Sequence, residues 1–281
     1  MPNPTVPMED ELGDVLEKAM RRAGLTEEAL AARAGVAVPR ILDAINYRSE
    51  LTDGELCRLA AALRLNEIGL CALGRGQYPL PEPGALPFCV HALRMPHGIG
   101  VTNAYLVAES GASNGILFDT GPGIGALEAA WPHAIRTVSA VFLTHVEAEH
   151  AGGLCAVVER FRAPAAYCPQ GASAPCSRPI GEGRREVFGG ISVTAFSTPG
   201  HTPAHNCYLV EAPAAARGTG LLIAGDLLFA GSIGCAHYCQ EQLVKNLGRM
   251  LHAAPPGTVI APGHGPMTTV ENELRFNPFV G

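Results

Sequence analysis

Four short apolar runs in this chain each end in a glycine- or proline-bounded turn that carries histidine or carboxylate. AVFL leads into THVEAEHAGG, which holds His145, Glu147, Glu149 and His150. Then come His201 in TPGHTPAH, Asp226 in LLIAGDLLFAG and His264 in APGHGPMTT. Short apolar runs bounded by turn residues read as buried strands, and strand ends present side chains to a cleft. The pattern therefore demands sheets whose ends converge, with four imidazoles and three carboxylates available for two metal ions.

The order of these turns resembles the metallo-β-lactamase superfamily. That family's usual first motif is His-x-His-x-Asp-His, followed by a lone His, a bridging Asp and a final His. The resemblance runs from about Pro87 to the C-terminus. GILFDTGPG matches the early strand and turn, with Asp119 in a supporting position. GDLLFAGSIG and APGHGPMTTVENELRFNPF look most like the glyoxalase II-type thioesterases. The implied fold is α+β, a four-layer αββα sandwich with a metal cleft at one end of the sheets. The implied ligands are His145, Glu147 and His201 on one ion, and Glu149, His150 and His264 on the other, with Asp226 bridging. Asp226 and Glu149 are the expected catalytic pair among these ligands. Asp119 is expected to orient a ligand histidine. His205 reads either as a cleft-facing proton carrier or as a hydrogen-bonded support.

The chain departs from the usual motif at two positions: Glu147 stands for the second His, and Glu149 for the Asp. His-x-Glu in that loop resembles the branch containing flavodiiron proteins and diiron oxygenases. Two divalent ions with three carboxylates leave about +1, where two carboxylates leave about +2. The extra negative charge weakens Lewis acidity and favours a higher oxidation state. Two His with carboxylate and open positions suits iron, and carboxylate-rich pairs also hold manganese. Iron or manganese is therefore favoured, with zinc as the alternative.

From Glu9 to about Leu73 the chain reads as purely helical. LTEEALAARAG opens on a capping Thr26 followed by Glu27 and Glu28. After Gly35 comes the short helix VPRILDAIN, then LTDGELCRLAAALRL. This segment is similar to Cro/C1-type helix-turn-helix domains. The expected organisation is a helical domain over 1–75, a Pro/Gly-rich linker over 76–87 and the metal domain over 88–281. Nine basic residues face twelve acidic ones in residues 1–75, a balance of −3. The second helix of the motif opens with Val36, Ala37, Val38 and Pro39, and Glu27 stands where a phosphate contact is usual. DNA affinity rests on phosphate neutralisation, so DNA binding is not expected. A packing or dimerisation module is, with Leu51, Leu56, Leu59, Leu63 and Leu65 as its apolar face.

A formal net charge of −6 argues against a general nucleic-acid surface. No apolar run reaches membrane-spanning length, and the start MPNPTVPMEDELGD is acidic and lacks a basic, apolar leader. Nine Cys lie mostly within apolar stretches and read as reduced, buried thiols of a cytoplasmic protein. Cys235, His237 and Cys239 form a separate group beside the expected cleft, with a redox or third-metal role set against plain loop residues. His97 sits on a loop expected to border the cleft, and Asn103 and Tyr105 resemble the family's buried Asn-x-Tyr strand.

Three functions fit. The first is a dinuclear hydrolase of a thioester or small ester, attacking through a metal-bridging hydroxide. The second is a diiron redox protein that handles oxygen or nitric oxide. The third is a DNA-binding regulator with a metal-sensing domain. In each of the first two the partner is a small molecule.

Overall fold

The computed structural model of the chain describes residues 6–212 and 220–280. The first five residues of the acidic start, and most of the Ala-rich piece after Glu211, lie outside the described residues. The helical segment comprises α1 (Leu12–Ala23), α2 (Glu27–Ala34), α3 (Val38–Ile45), α4 (Asp53–Leu63) and α5 (Glu67–Gly74). Local chemistry sets these boundaries. The Thr26 hydroxyl accepts from the Ala29 amide, Thr52 and Glu55 form a reciprocal capping box, and Asn66 caps α5 by accepting from Gly69. Gly24 and Gly35 end α1 and α2 in the left-handed conformation.

Beyond the linker the chain alternates. β1 (Cys89–His97), β2 (Gly100–Ala108) and β3 (Asn114–Phe118) precede α6 (Ile124–Ala129). β4 (Thr137–Phe142) leads to α7 (Ala148–Ala151), α8 (Leu154–Arg160), β5 (Ala166–Pro169) and β6 (Arg178–Ile180). The second half holds β7 (Arg185–Phe188), β8 (Ile191–Ser197), β9 (Asn206–Glu211), β10 (Gly220–Gly225), β11 (Leu228–Phe229) and β12 (Ser232–Ile233). It closes with α9 (Gln240–Ala253), β13 (Val259–Pro262), β14 (Thr268–Thr269) and α10 (Val270–Phe276). EVFGGISVTAFST forms the β7–β8 hairpin, turned at Gly189 and Gly190.

Two six-stranded sheets result, β1-β2-β3-β4-β5-β6 and β14-β13-β10-β9-β8-β7. Their facing sides share one core in which Tyr105, Phe118 and Phe142 meet Val193, Tyr208 and Ile223. Alternation along β10 does the sorting. Leu221 and Ile223 point between the sheets, while Leu222 and Ala224 point outward toward α9. The outer face of the first sheet is covered by α6 and α8 through Leu127, Leu154 and Val157. This is the expected αββα order.

The five N-terminal helices share one hydrophobic cluster with the outer layer of the second sheet, so that Leu16, Leu56 and Leu70 join Leu222, Leu243 and Phe279. All five leucines proposed as an apolar face are buried. Contact with α10 is close: a Cβ at Gly69 would lie 1.7 Å from the Phe276 carbonyl oxygen, so α5 tolerates no side chain there. The Pro/Gly-rich segment from Gly76 to Pro87 is strapped down at its start. The Tyr78 hydroxyl donates to buried Glu273 at 3.1 Å, and Asn272 Nδ2 donates to the Pro79 carbonyl at 3.0 Å. Deleting residues 1–75 should strip the outer apolar layer. We expect aggregation or a larger oligomer by light scattering before any loss of metal content.

The reading of all nine cysteines as reduced, buried thiols needs correction. Cys155 and Cys176 form a disulfide with Cα atoms 5.5 Å apart, within the usual range. The excursion through β5 folds Cys176 back beside α8, a contact that sequence spacing does not reveal. Of the other seven, only Cys71, Cys168 and Cys207 are buried. No helix among the described residues is long and apolar enough to cross a membrane.

Candidate metal centre

β4 and β13 run in the same direction as their neighbours β3 and β10, and all four deliver candidate residues from their C-terminal ends. His145 and Glu147 follow β4, and Glu149 and His150 lie on α7. Asp226 follows β10 and His264 follows β13. His201 comes from the turn between β8 and β9. The seven residues fall into two groups of ligand atoms, His145–Glu147–His201 and Glu149–His150–Asp226–His264.

Each of the four histidines has its Nδ1 occupied from behind. His145 Nδ1 meets the Thr144 hydroxyl at 2.9 Å, and that hydroxyl donates to Asp119 Oδ2 at 2.8 Å. His150 Nδ1 meets the same Asp119 oxygen at 3.0 Å. His201 Nδ1 meets the Cys235 carbonyl at 2.7 Å, and His264 Nδ1 the Val101 carbonyl at 3.0 Å. Against these acceptors Nδ1 carries the proton, so Nε2 turns a lone pair to the cleft. The Nε2 atoms of His145, His150 and His201, together with Asp226 Oδ1, are buried without any hydrogen-bond partner. Such atoms are costly unless something fills the space between them. The donor set and these orphaned atoms fit metal ions.

Asp226 stands at the junction. Its Oδ1 is 3.5 Å from His150 Nε2, and its Oδ2 is 3.4 Å from His264 Nε2 and 3.7 Å from His201 Nε2. Glu147 reaches His201 Nε2 at 3.5 Å and His145 Nε2 at 3.8 Å. Glu149 Oε1 lies 3.9 Å from His264 Nε2, while its Oε2 is 3.4 Å from His97. His97 thus borders the cleft at the end of β1. Gly263 leaves room for the centre: a Cβ there would lie 2.1 Å from Asp226 Oδ1 and 2.9 Å from His150 Cε1.

Asp119 also accepts from the Thr144 amide at 2.7 Å, so one carboxylate fixes the loop and two imidazoles. His205 is buried away from the cleft opening. Its Nδ1 meets the Thr198 hydroxyl at 2.7 Å, and its Nε2 accepts from the Asp226 amide at 3.2 Å. With burial and the neighbouring imidazoles pushing its pKa well below the ordinary value, it supports Asp226 as a neutral ring and carries no proton across the cleft. Asn103 and Tyr105 hold the His264 loop from β2, through Asn103 Nδ2 to the Pro262 and Gly265 carbonyls and the Tyr105 hydroxyl to Pro262. Cys235 and Cys239 do not converge on a site with His237. Cys239 points to Glu241 at 3.3 Å, while the His237 ring lies 5.2 Å from His201.

The helical segment also reaches the centre. Lys18 Nζ donates to Asp10 and, at 2.7 Å, to the Ile233 carbonyl. The same ammonium sits 5.2 Å over the Phe229 ring, and Phe229 meets His264 edge-on at 5.6 Å. Glu9 Oε2 is 3.9 Å from His264 Nδ1. Together α1, the preceding arm and the ligands enclose a cavity of about 400 Å3.

Electrostatics fit the same picture. Burial would raise the Asp226 pKa, but His150 and His264 hold it well below the usual range. Glu147 is lowered by the neighbouring imidazoles of His145 and His201. Burial opposes charge on His264, yet Asp226 outweighs it and pushes the imidazole up to about 9. His150 and His201 are also raised, against burial, by Asp226, Asp119 and Glu147. In demetallated protein these raised values stabilise the fold fully below the unfolded histidine value of about 6.5. That contribution is lost as pH rises toward 9. A chelator-treated sample should therefore melt at lower temperature as pH climbs through this window. Metal affinity should rise over the same window, because each ligand imidazole must shed its proton.

Two facing sheets with a histidine- and carboxylate-lined cleft at their ends define a metal-binding αββα sandwich. The chain belongs to the metallo-β-lactamase superfamily, whose family model matches residues 97–276. It is 29% identical over 209 residues to an uncharacterized protein of Aquifex aeolicus, covering 66% of this chain and 95% of that one. Over 163 residues it is 32% identical to the hydroxyacylglutathione hydrolase of Xanthomonas campestris, covering 57% of this chain and 58% of that enzyme. Among solved structures, TTHA1623 in a di-iron-bound form superposes with a TM-score of 0.53 at 29% identity, covering 66% of this chain and 99% of that one. The BLEG-1 B3 metallo-β-lactamase gives a TM-score of 0.57 at 26% identity, covering 66% and 98%.

Proposed function

We propose that the chain is a metal-dependent hydrolase acting on a small thioester or ester. The observation that carries this reading is the pair of ligand groups meeting at Asp226, with four buried polar atoms among them that have no hydrogen-bond partner. His145, Glu147 and His201 would hold one ion and Glu149, His150 and His264 the other, with Asp226 shared. Divalent ions bound there would polarise a carbonyl and acidify a water. The protein's part is to fix the imidazoles through Asp119, Thr144 and two backbone carbonyls, and to keep Glu147 and Asp226 ionised. His97 stands at the cleft wall, 3.4 Å from Glu149, where it can orient that carboxylate. Support for thioesters comes from the likeness to the hydroxyacylglutathione hydrolase. The test is steady-state hydrolysis of short acyl thioesters by metal-reconstituted protein, with Asp226→Asn as control. Turnover that survives chelation or D226N would contradict the reading.

A diiron redox role is the second reading, favoured by the three carboxylates and the likeness to a di-iron-bound relative. It predicts iron in native protein with oxo-to-metal absorption bands. The helix-turn-helix identity of the N-terminal segment is carried as a fold likeness without the DNA function. Α1 packs against the metal domain, and the exposed part of α3 presents Pro39 and Leu42. A mobility-shift assay at physiological salt should show weak binding or none, and submicromolar sequence-specific binding would contradict this.

A further inference from the structure

The metal cavity has a side lobe. It holds about 250 Å3 and is lined by Lys18 and Arg21 of α1, the Ile233–His237 segment and Gln240. Lys18, Arg21, Cys235 and His237 line both spaces, so the lobe adjoins the metal cavity. Carboxylates are abundant on the main cavity wall, where Glu9, Asp10, Asp14 and Glu17 all contribute, but none lines the lobe. The backbone amides of Cys235 and Ala236 donate to no backbone carbonyl among the described residues.

Charge within the lobe is only partly consumed. Lys18 uses two of its three donors, on Asp10 and Ile233. Arg21 spends one nitrogen on Glu17 at 3.2 Å, in an exposed pair whose side chains are 66% and 48% accessible. Such pairs are weak, and the rest of the guanidinium fork remains available for a carboxylate, which it matches in geometry.

We propose that the helical segment supplies the substrate-selecting wall of the metal cleft, and that the lobe formed by Lys18, Arg21, His237 and Gln240 binds a carboxylate on the acyl group of the substrate. This rests on the hydrolase reading above. The scissile carbonyl would lie at the ligand cluster, and the carboxylate would extend past His237 toward Arg21. It makes α1 a specificity element and gives the N-terminal segment a role in the metal chemistry.

The test compares two esters of equal chain length and the same leaving group, mono-4-nitrophenyl adipate and 4-nitrophenyl hexanoate, on metal-loaded full-length protein. The readout is the ratio of their kcat/KM values. Arg21→Glu should lower the preference for the adipate ester about tenfold, or about 1.4 kcal/mol. Arg33→Glu, the same charge change on exposed α2, should leave the ratio as it was. A ratio unmoved by R21E, or moved equally by R33E, overturns the proposal. Calorimetric binding of adipate against hexanoate gives an arm that needs no turnover. If neither ester is hydrolysed but R21E weakens adipate selectively, the hydrolase reading fails and the carboxylate lobe stands. If adipate binding is unchanged, the lobe fails.

Discussion

Gly263→Ala should empty half of the metal centre and lower hydrolysis by about 100-fold or more. The added Cβ would lie 2.1 Å from Asp226 Oδ1 and 2.9 Å from His150 Cε1, closer than any packed carbon can sit. Relief would require moving the backbone, yet Gly263 is held on both sides. Its amide donates to the Gly225 carbonyl and its carbonyl accepts from the Asn103 amide, at 2.9 and 2.8 Å. The carboxylate and the imidazole must therefore give way, and both belong to the Glu149–His150–Asp226–His264 group. Misplacing atoms that orient metal ligands costs 10–100-fold in affinity, and here the ligands themselves are displaced. Elemental analysis should fall from two metals per chain to one or fewer, while circular dichroism stays native. A fully loaded, active G263A protein would contradict the placement of the centre.

Glu147→His should move metal preference toward zinc, with a change of about tenfold in the zinc-to-iron ratio bound from an equimolar mixture, and should raise esterase activity. Glu147 sits immediately before α7, half-exposed, with its oxygens 3.5 and 3.8 Å from the Nε2 atoms of His201 and His145. Replacing it removes one negative charge from a site otherwise containing Glu149 and Asp226. It also gives that ion three imidazoles, a set zinc takes readily in hydrolytic sites. A less neutralised centre is the stronger Lewis acid. Unchanged metal content and unchanged hydrolysis would show that this carboxylate does not set the chemistry.

Much of this centre was legible because turns after apolar runs are local features. His145, His201, Asp226 and His264 each follow a run that becomes, or leads into, a strand end, and β10 and β13 read as buried strands from the apolar runs LLIA and VIA. The supports were less visible. Thr144 acts through a hydroxyl shared with Asp119, and two of the imidazoles are oriented by the backbone carbonyls of Cys235 and Val101, which have no residue signature. The α9 helix carries a helical signature that the turn-centred reading does not include: Leu243, Leu247, Met250 and Leu251 recur at helical spacing and are all buried. β5 and β6, only four and three residues long, are defined by pairing and not by propensity. The deepest gap concerned α1. Its caps and charges describe a self-contained helical unit, and only packing puts Lys18 over Phe229 and brings Glu9 to His264.

Anomalous diffraction from metal-loaded crystals tests the central claim most directly. Two peaks are predicted, about 3.5–4 Å apart as in two-metal sites. Asp226 should lie between them, with Glu147 on the His145–His201 ion and Glu149 on the His150–His264 ion. A single peak, or two peaks with both glutamates turned out of the cleft, would contradict it.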